Sequence, residues 1–517
     1  MSFQLRLNNF VNNLYFVGFS GLAIGLPTSK VILSMSMFLL LFSLILEGNY
    51  AAYLERLRKN KPYLILLAFW TLHLFALLWT TDFNYAFQDI RIKLTLLVIP
   101  TVILSKPLEK NQVNIWMYLF LATLLVTSIF NVAQYQGFIG STVHNDIRGL
   151  SFFGSHIRYG ILIAMGAGIS IFLANYEKSL TLIVSLIFLF LWFVLYTYYS
   201  QVLSGFLALL CIIIVYFSSL AFKKSLKLGL AFICGIFFLF GTFIYYLSCP
   251  QENLTINYDQ LATTTALGNS YTHNLDPSTF VEGKPVFANV CEQELQAAWN
   301  KISALDYNGY DKKKQPLRFT IMRYMTSKDL KKDANGIGKL SANDIQNIEN
   351  GITSYGDLNA GLFARLSGLR YQLHNSEDPN GHSLLQRIEY WKTAIKIIEK
   401  NWVFGVGTGD VQVSFDQQYK EDNSRLTVEN RLRAHNMYLT IWLTFGILGL
   451  FLFLYLNVTV FLFCLKCADL IGIMFLSIAL VTFTIEDTLE TQTGVSFFAI
   501  FLTLSIMKYP AIRSRLN

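Results

Sequence analysis

Charge is scarce in this chain. Only 14% of its 517 residues are charged, against about a quarter in soluble proteins, while 53% are hydrophobic and the mean hydropathy is +0.43. A water-soluble globular protein is excluded. Cysteine is also rare: six residues are too few for a disulfide scaffold. Cys211 and Cys234 fall in apolar runs, where they read as small apolar residues. Cys464 and Cys467 form one C-x-x-C with no second pair, which does not make a metal site. Cys249 and Cys291 share a hydrophilic segment, and whether they pair stays open. There is no Gly-rich phosphate loop with its lysine, so ATP-driven transport has no support. No 20–50-residue repeat and no low-complexity tract is present. The net charge of +8 is not interleaved with aromatics in any recognition fold, so nucleic acid is not expected as a partner.

What the sequence does hold is a series of apolar runs long enough to cross hydrocarbon, about twelve by the 20-residue criterion. They lie near 10–27, 31–47, 63–80, 86–105, 113–136, 157–175, 179–198, 202–222, 226–247, 436–465, 468–485 and 494–508. Lys and Arg collect in alternate connections: Arg56 to Lys61, Lys106 and Lys110, Lys178, Lys223 to Lys227, Lys466, and Lys508 to Arg515. By the positive-inside rule that side is the cytoplasm, so both termini are expected inside, in a multi-pass membrane protein. The first run has no small-residue cleavage site after it and reads as an uncleaved helix. The expected organisation is 1–247 as a nine-helix membrane domain, 248–434 as a periplasmic loop domain, and 435–517 as the last three helices.

The hydrophilic segment is too long for a passive connector, and its patterns are helical. "EQELQAAWNKI" sets Leu295, Trp299 and Ile302 on one face. "SANDIQNIENGI" opens with an S-x-x-D cap at Ser341 and Asp344. "SLLQRIEYWKTAIKIIEKN" opens with Ser383 and Gln386 and carries a stripe of Leu384, Ile388, Trp391, Ile395 and Ile398. "DANGIGKLSAND" has glycine at the sixth place of a calcium loop. However, Ile337 takes a ligand place and Asp344 stands where a glutamate is usual, so a turn between helices is expected.

Polar residues cluster at the outward ends of the runs. Arg91 and Lys93 open one, and His156 and Arg158 open another. Charge at that depth faces a cavity or partner, or snorkels to headgroups. Arg387 flanks the apolar stripe of its helix. Gly405, Gly407 and Gly409 form a turn whose backbone N–H groups are available to a ligand or to a helix C-cap. His435 follows Arg431 and Arg433 and precedes Asn436. Cationic neighbours oppose a further positive charge, so its imidazole is expected neutral and able to take a hydroxyl proton. Glu486, Asp487 and Glu490, at another outward end, either orient these groups or solvate the loop.

The order "SLLQRIEYWKTAIKIIEKNWVFGVGTGD", then "AHNMYLTIWLTFGILGLFLFL", resembles the O-antigen ligase and polymerase superfamily of bacterial envelopes. The carrying residues are Arg387, Trp391, Gly405 to Gly409, His435, Asn436, Tyr438, Leu439, Gly446 and Gly449. The resemblance implies an all-α polytopic membrane fold of the GT-C-like class with one large, mainly helical periplasmic loop domain. It also implies a metal-independent, cofactor-free, inverting glycosyltransferase with a periplasmic active site. The donor would be a glycan on undecaprenyl diphosphate; the acceptor, a hydroxyl of lipid A-core (ligase), of a growing glycan (polymerase) or of a protein (O-oligosaccharyltransferase). A lipid-linked sugar transporter is the remoter alternative. His435 and Arg387 would be catalytic, with Trp391, Gly405, Gly407, Asn436, Tyr438, Glu486 and Glu490 supporting them. The superfamily's arginine before the outward glycine falls here on Leu203, ahead of Gly205. Arg158, Arg91 and Gln201 are therefore the expected donor diphosphate-binding residues. No D-x-D pair, the common holder of a divalent cation on a sugar diphosphate, occurs in the external loops, in keeping with the metal-free expectation.

Overall fold

A computed structural model describes residues 3–139, 150–249, 261–275, 280–281, 284–312, 315–355, 379–380 and 383–507. A helix lies over each of the twelve apolar runs. They are α1 (Phe3–Thr28), α2 (Lys30–Glu47), α4 (Lys61–Phe75, extended by a 3-10 turn Ala76–Trp79), α5 (Phe83–Ser105), α6 (Lys110–Tyr135) and α7 (His156–Ala174). There follow α8 (Leu180–Ser200), α9 (Leu203–Lys224), α10 (Leu226–Ser248), α17 (Met437–Lys466), α18 (Leu470–Thr482) and α19 (Gln492–Ile506). A short α3 (Tyr50–Lys59) joins α2 to α4. Among the described residues, nine helices are long and apolar enough to cross a membrane. This is a helical polytopic membrane protein. Its chain divides into two compact units, Met1–Gly235 with Arg387–Asn517, and Ile236–Gln386.

In the first unit the apolar faces of the helices meet in one core that includes Phe19, Trp116, Phe120, Phe453, Phe475 and Phe501. Close approach is set by small residues: α7 and α9 touch at Gly160 and Gly205, where a Cβ on either would sit 3.3–3.4 Å from the other's Cα. One end of the bundle gathers the α1–α2, α4–α5 and α18–α19 connections. Gln492 donates to Ser34 Oγ (2.8 Å), and Asp410 accepts from the backbone of Thr81 (2.8 Å) and Asp82 (2.8 Å).

Residues from Arg387 on, hydrophilic in sequence, belong to this unit. Their helices are α15 (Ser383–Asn401) and α16 (Val411–Glu421). The buried stripe of α15 is Tyr390, Ala394, Ile397 and Ile398, packed on Phe415 and Tyr419. Ile395, expected in it, is 47% exposed. The stripe is turned by one residue because Ala394, too small to register as an apolar peak, lies at the contact. The expected cap residue Ser383 has its side chain outside the described residues.

Helix α17 is broken at Gly446 (φ 66°, ψ −164°). The break frees Leu443 O and Ile447 N from the helical ladder. The glycine turn after α15 satisfies both: Val406 N donates to Leu443 O (2.8 Å), Ile447 N to Trp402 O (2.9 Å), and Gly407 N to Thr444 O (3.0 Å). Unpaired backbone in this setting would be costly. A Cβ at Gly446 would lie 1.9 Å from Val403 O. Gly446→Ala is therefore expected to cost more than the ~1–3 kcal/mol of a strained backbone alone, measured as a lowered unfolding midpoint of the detergent-purified protein.

The second unit has its own core, in which Leu295 and Trp299 of α11 (Glu292–Ile302) meet Ile321 and Met325 of α12 (Leu317–Ser327) and Ile348 of α14 (Ala342–Glu349). Ile302 ends α11 beyond that core and is 45% exposed. A two-residue hairpin, β1 (Phe280–Val281) with β2 (Lys284–Pro285), is its only ladder of paired strands among the described residues. Ser341 and Asp344 form the expected capping box. The turn that resembles a calcium loop runs through a short α13 (Ala334–Gly338). Its carboxylates are engaged by the protein. Asp344 accepts from Tyr324 (2.7 Å) and Lys328 (2.7 Å), and Asp333 from Tyr271 and Gly336. Among the described residues none of the cysteines forms a disulfide.

Candidate active site

The segment that ends in His435 is extended and held by aromatic side chains. Tyr390 donates to Asn430 O (2.8 Å), Tyr419 to Leu432 O (2.6 Å), and Trp391 Nε1 to Ala434 O (2.9 Å). His435 itself stands in the left-handed region (φ 46°). Such a conformation in a non-glycine residue stores strain that the surroundings must hold. They do so through Asp487, which accepts from His435 N (2.9 Å) and from Thr440 Oγ1 (2.7 Å). The ring's Nδ1 is 3.9 Å from the same carboxylate, and the imidazole is about one-third exposed. Asn436 then caps α17 through Leu439 N (3.1 Å) and reaches Thr484 O (3.1 Å).

Cations converge on this ring. Arg387 Nη2 pairs with Glu486 Oε1 at 3.0 Å, and one turn further along α15 the ring of Tyr390 lies 5.8 Å from that of His435. Arg158, Arg387 and Arg433 all act electrostatically on His435. The Nε atoms of both Arg158 and Arg387 are buried without a hydrogen-bond partner. Burial pushes the imidazole below its ordinary value. Asp487 opposes this, and Arg387, Arg433 and Arg158 add to it. Arg431, expected to contribute, instead turns to Leu426 O (3.1 Å).

The acids are buried rather than solvating a loop: Glu486 and Asp487 are 6% and 7% exposed. Burial raises both carboxyls, against Arg387 and Arg158 for Glu486 and with Glu490 adding for Asp487. Glu490 behaves oppositely. Burial would raise it, but Lys93 and Arg433 outweigh that and bring it down to about 2. Its two oxygens take Lys93 Nζ (2.8 Å) and Arg433 Nη1 (3.1 Å), while Lys93 also holds Asp89 (2.7 Å). Lys93 is thus a buried charge and does not snorkel.

Arg91 lies midway between Asp89 and Lys93, on the opposite side of α5. It is exposed and forms no ion pair among the described residues, so it does not join the cluster. Gln201 caps α8 in the left-handed region, two residues before α9. Tyr438 donates to Leu480 O (2.9 Å) inside the bundle, and the amides of Gly405 and Gly407 are spent on Asn401 O and Thr444 O. Those three residues build the scaffold, and the Gly405 amide, bonded to Asn401 O, takes the helix C-cap alternative of the glycine turn. Sequence reading missed Tyr390 and the four-charge group of Asp89, Lys93, Arg433 and Glu490. The i, i+4 spacing of Asp89 and Lys93 in an apolar run was the available signal. Among the described residues no three His, Cys, Asp or Glu side chains are grouped as metal ligands.

No curated protein matches the chain. The profile of the O-antigen ligase family matches residues 188–454, about half of its length. That stretch takes in Arg387, Trp391, the glycine turn, His435 and the broken helix that the turn supports, and by this match the chain belongs to the O-antigen ligase family.

Proposed function

We propose that this protein transfers a glycan from undecaprenyl diphosphate to an acceptor hydroxyl on the periplasmic face of the inner membrane, as an O-antigen ligase acting on lipid A-core. The observation that carries the reading is the pairing of a neutral, partly exposed His435 with two guanidinium groups, Arg387 and Arg158, whose Nε donors are buried and unused. Buried donors without partners are rare and call for an explanation; an oxyanion supplies one. Arg387 and Arg158 bind the diphosphate and stabilise its charge as the bond to the anomeric carbon breaks. The acceptor oxygen attacks that carbon from the opposite side and its proton passes to His435 Nε2. One glycosidic bond forms, the bond to the diphosphate breaks, and configuration inverts. Arg158 stands in for the superfamily's arginine at the place of Leu203, because α7 packs on the start of α9 at Gly160 and Gly205. The positive-inside pattern supports the periplasmic assignment.

Purified protein given lipid-linked donor with and without lipid A-core tests this. Glycosylated lipid A-core is the expected product, and chain growth on donor alone makes the protein a polymerase. Arg387 already gives one nitrogen to Glu486, so a lysine could not hold both acid and phosphate. Arg387→Lys is expected to lose on the order of 10²-fold in rate, close to Arg387→Ala; a fully active lysine variant reduces the residue to a point charge. Transfer is expected to persist in EDTA, and a loss restored by magnesium overturns the metal-free reading.

A further inference from the structure

Arg158 also faces a second space. A cavity of about 30 Å³ opens between the α1–α2 turn and the start of α7, and Thr493 at the start of α19 closes it. Lys30 and Arg158 line it, with Ser155 and Thr493 as hydroxyls and Leu26 and Leu162 as apolar wall. No carboxylate lines it among the described residues. The volume suits about two water-sized groups, the scale of phosphoryl oxygens. The turn is fixed in place. Ser29 caps α2, and Gln492 reaches both Lys30 O (3.4 Å) and Ser34 Oγ (2.8 Å). Ser155 makes no side-chain cap to α7, which leaves its hydroxyl uncommitted there.

We infer that this cavity is the subsite for the lipid-linked phosphate of a polyprenyl diphosphate, with Lys30 as a binding residue; this rests on the function proposed above. Two cations and hydroxyls without a carboxylate select an anion. The apolar side chains of Leu26 on α1 and Leu162 on α7 at the cavity wall suit the start of a hydrocarbon chain, which a free phosphate would not use. Arg158 is shared with the His435 and Glu486 group, so the two phosphates of one ligand can bridge the cavity and the reacting centre. An ordinary phospholipid headgroup, with a single phosphate, gains nothing from that bridge.

The test is binding of farnesyl diphosphate to the full chain in phosphatidylcholine nanodiscs. Lys30→Met is expected to weaken it about tenfold, as for loss of one charge-assisted hydrogen bond, and Lys30→Arg to restore it. Inorganic diphosphate is expected to compete at least tenfold more weakly than farnesyl diphosphate. Phosphatidylglycerol in the nanodisc is expected to leave binding unchanged. Unaltered affinity of Lys30→Met overturns the subsite. Equal competition by inorganic diphosphate makes it a bare phosphate site, and displacement by phosphatidylglycerol makes it a headgroup site; either result also overturns the proposal. If Lys30→Met binds normally while Arg387→Ala does not, the subsite fails and the proposed transfer chemistry stands.

Discussion

Replacing His435 by asparagine lowers glycan transfer on the order of 10²–10⁴-fold, the range for a general base, without unfolding the protein. Asparagine is the informative choice because it tolerates the left-handed backbone that His435 adopts at φ 46°. It also keeps the N–H that Asp487 accepts. What it lacks is the imidazole. Alanine gives a similar kinetic loss with added strain, so agreement between the two variants separates chemistry from folding. The pH profile follows from the same geometry. Burial, with Arg387, Arg433 and Arg158, holds the imidazole below its ordinary value, near 6.5. A base works deprotonated, so the rate rises as pH climbs through that lowered value and is level at neutral pH. The acid limb of kcat/KM is expected to inflect below about 6.5. An inflection above it, or an asparagine variant that transfers glycan normally, removes His435 from the chemistry.

The helices were legible because a run of about 20 apolar residues has few other uses, and all twelve runs coincide with helices. The nearness of Arg387 and His435 was legible only through a resemblance, since 47 intervening residues carry no distance information. How those residues are joined was not legible. Tyr390 reads as one more aromatic on an amphipathic helix, yet its hydroxyl and ring hold both ends of the His435 segment. Gly405 and Gly407 read as a turn whose amides serve a ligand or a helix C-cap. Nothing local says that a helix will break at Gly446 and take the N–H groups of Val406 and Gly407 for itself. Arg91 and Lys93 read alike from composition, and only the side of α5 facing Glu490 tells them apart.

That distinction leads to the largest expected effect on stability. Asp89, Lys93, Glu490 and Arg433 form a balanced set, two negative and two positive, with Lys93 between the two acids. Lys93→Met leaves two buried carboxylates to share one guanidinium. Breaking a buried pair in this way costs about 3–5 kcal/mol. Asp89→Asn combined with Lys93→Met restores neutrality and leaves Glu490 with Arg433, so the double variant is expected to be more stable than Lys93→Met alone. That non-additivity is the signature of one network. Glu490→Gln costs less, because Lys93 keeps Asp89 and the Arg433 side chain is already 23% exposed. It still loosens the segment that Arg433 anchors two residues before His435, so transfer should fall more than stability does. Acid does not mimic that variant. The Glu490 carboxyl is depressed to about 2, so its stabilisation is complete above the unfolded carboxyl's value of about 4.3 and is lost progressively as pH falls from there through 2. Denaturant unfolding of the single and double variants in detergent measures all of this. A Lys93→Met protein as stable as the parent would mean that the four charges are solvated separately, and that His435 is held by Asp487 and the aromatic side chains alone.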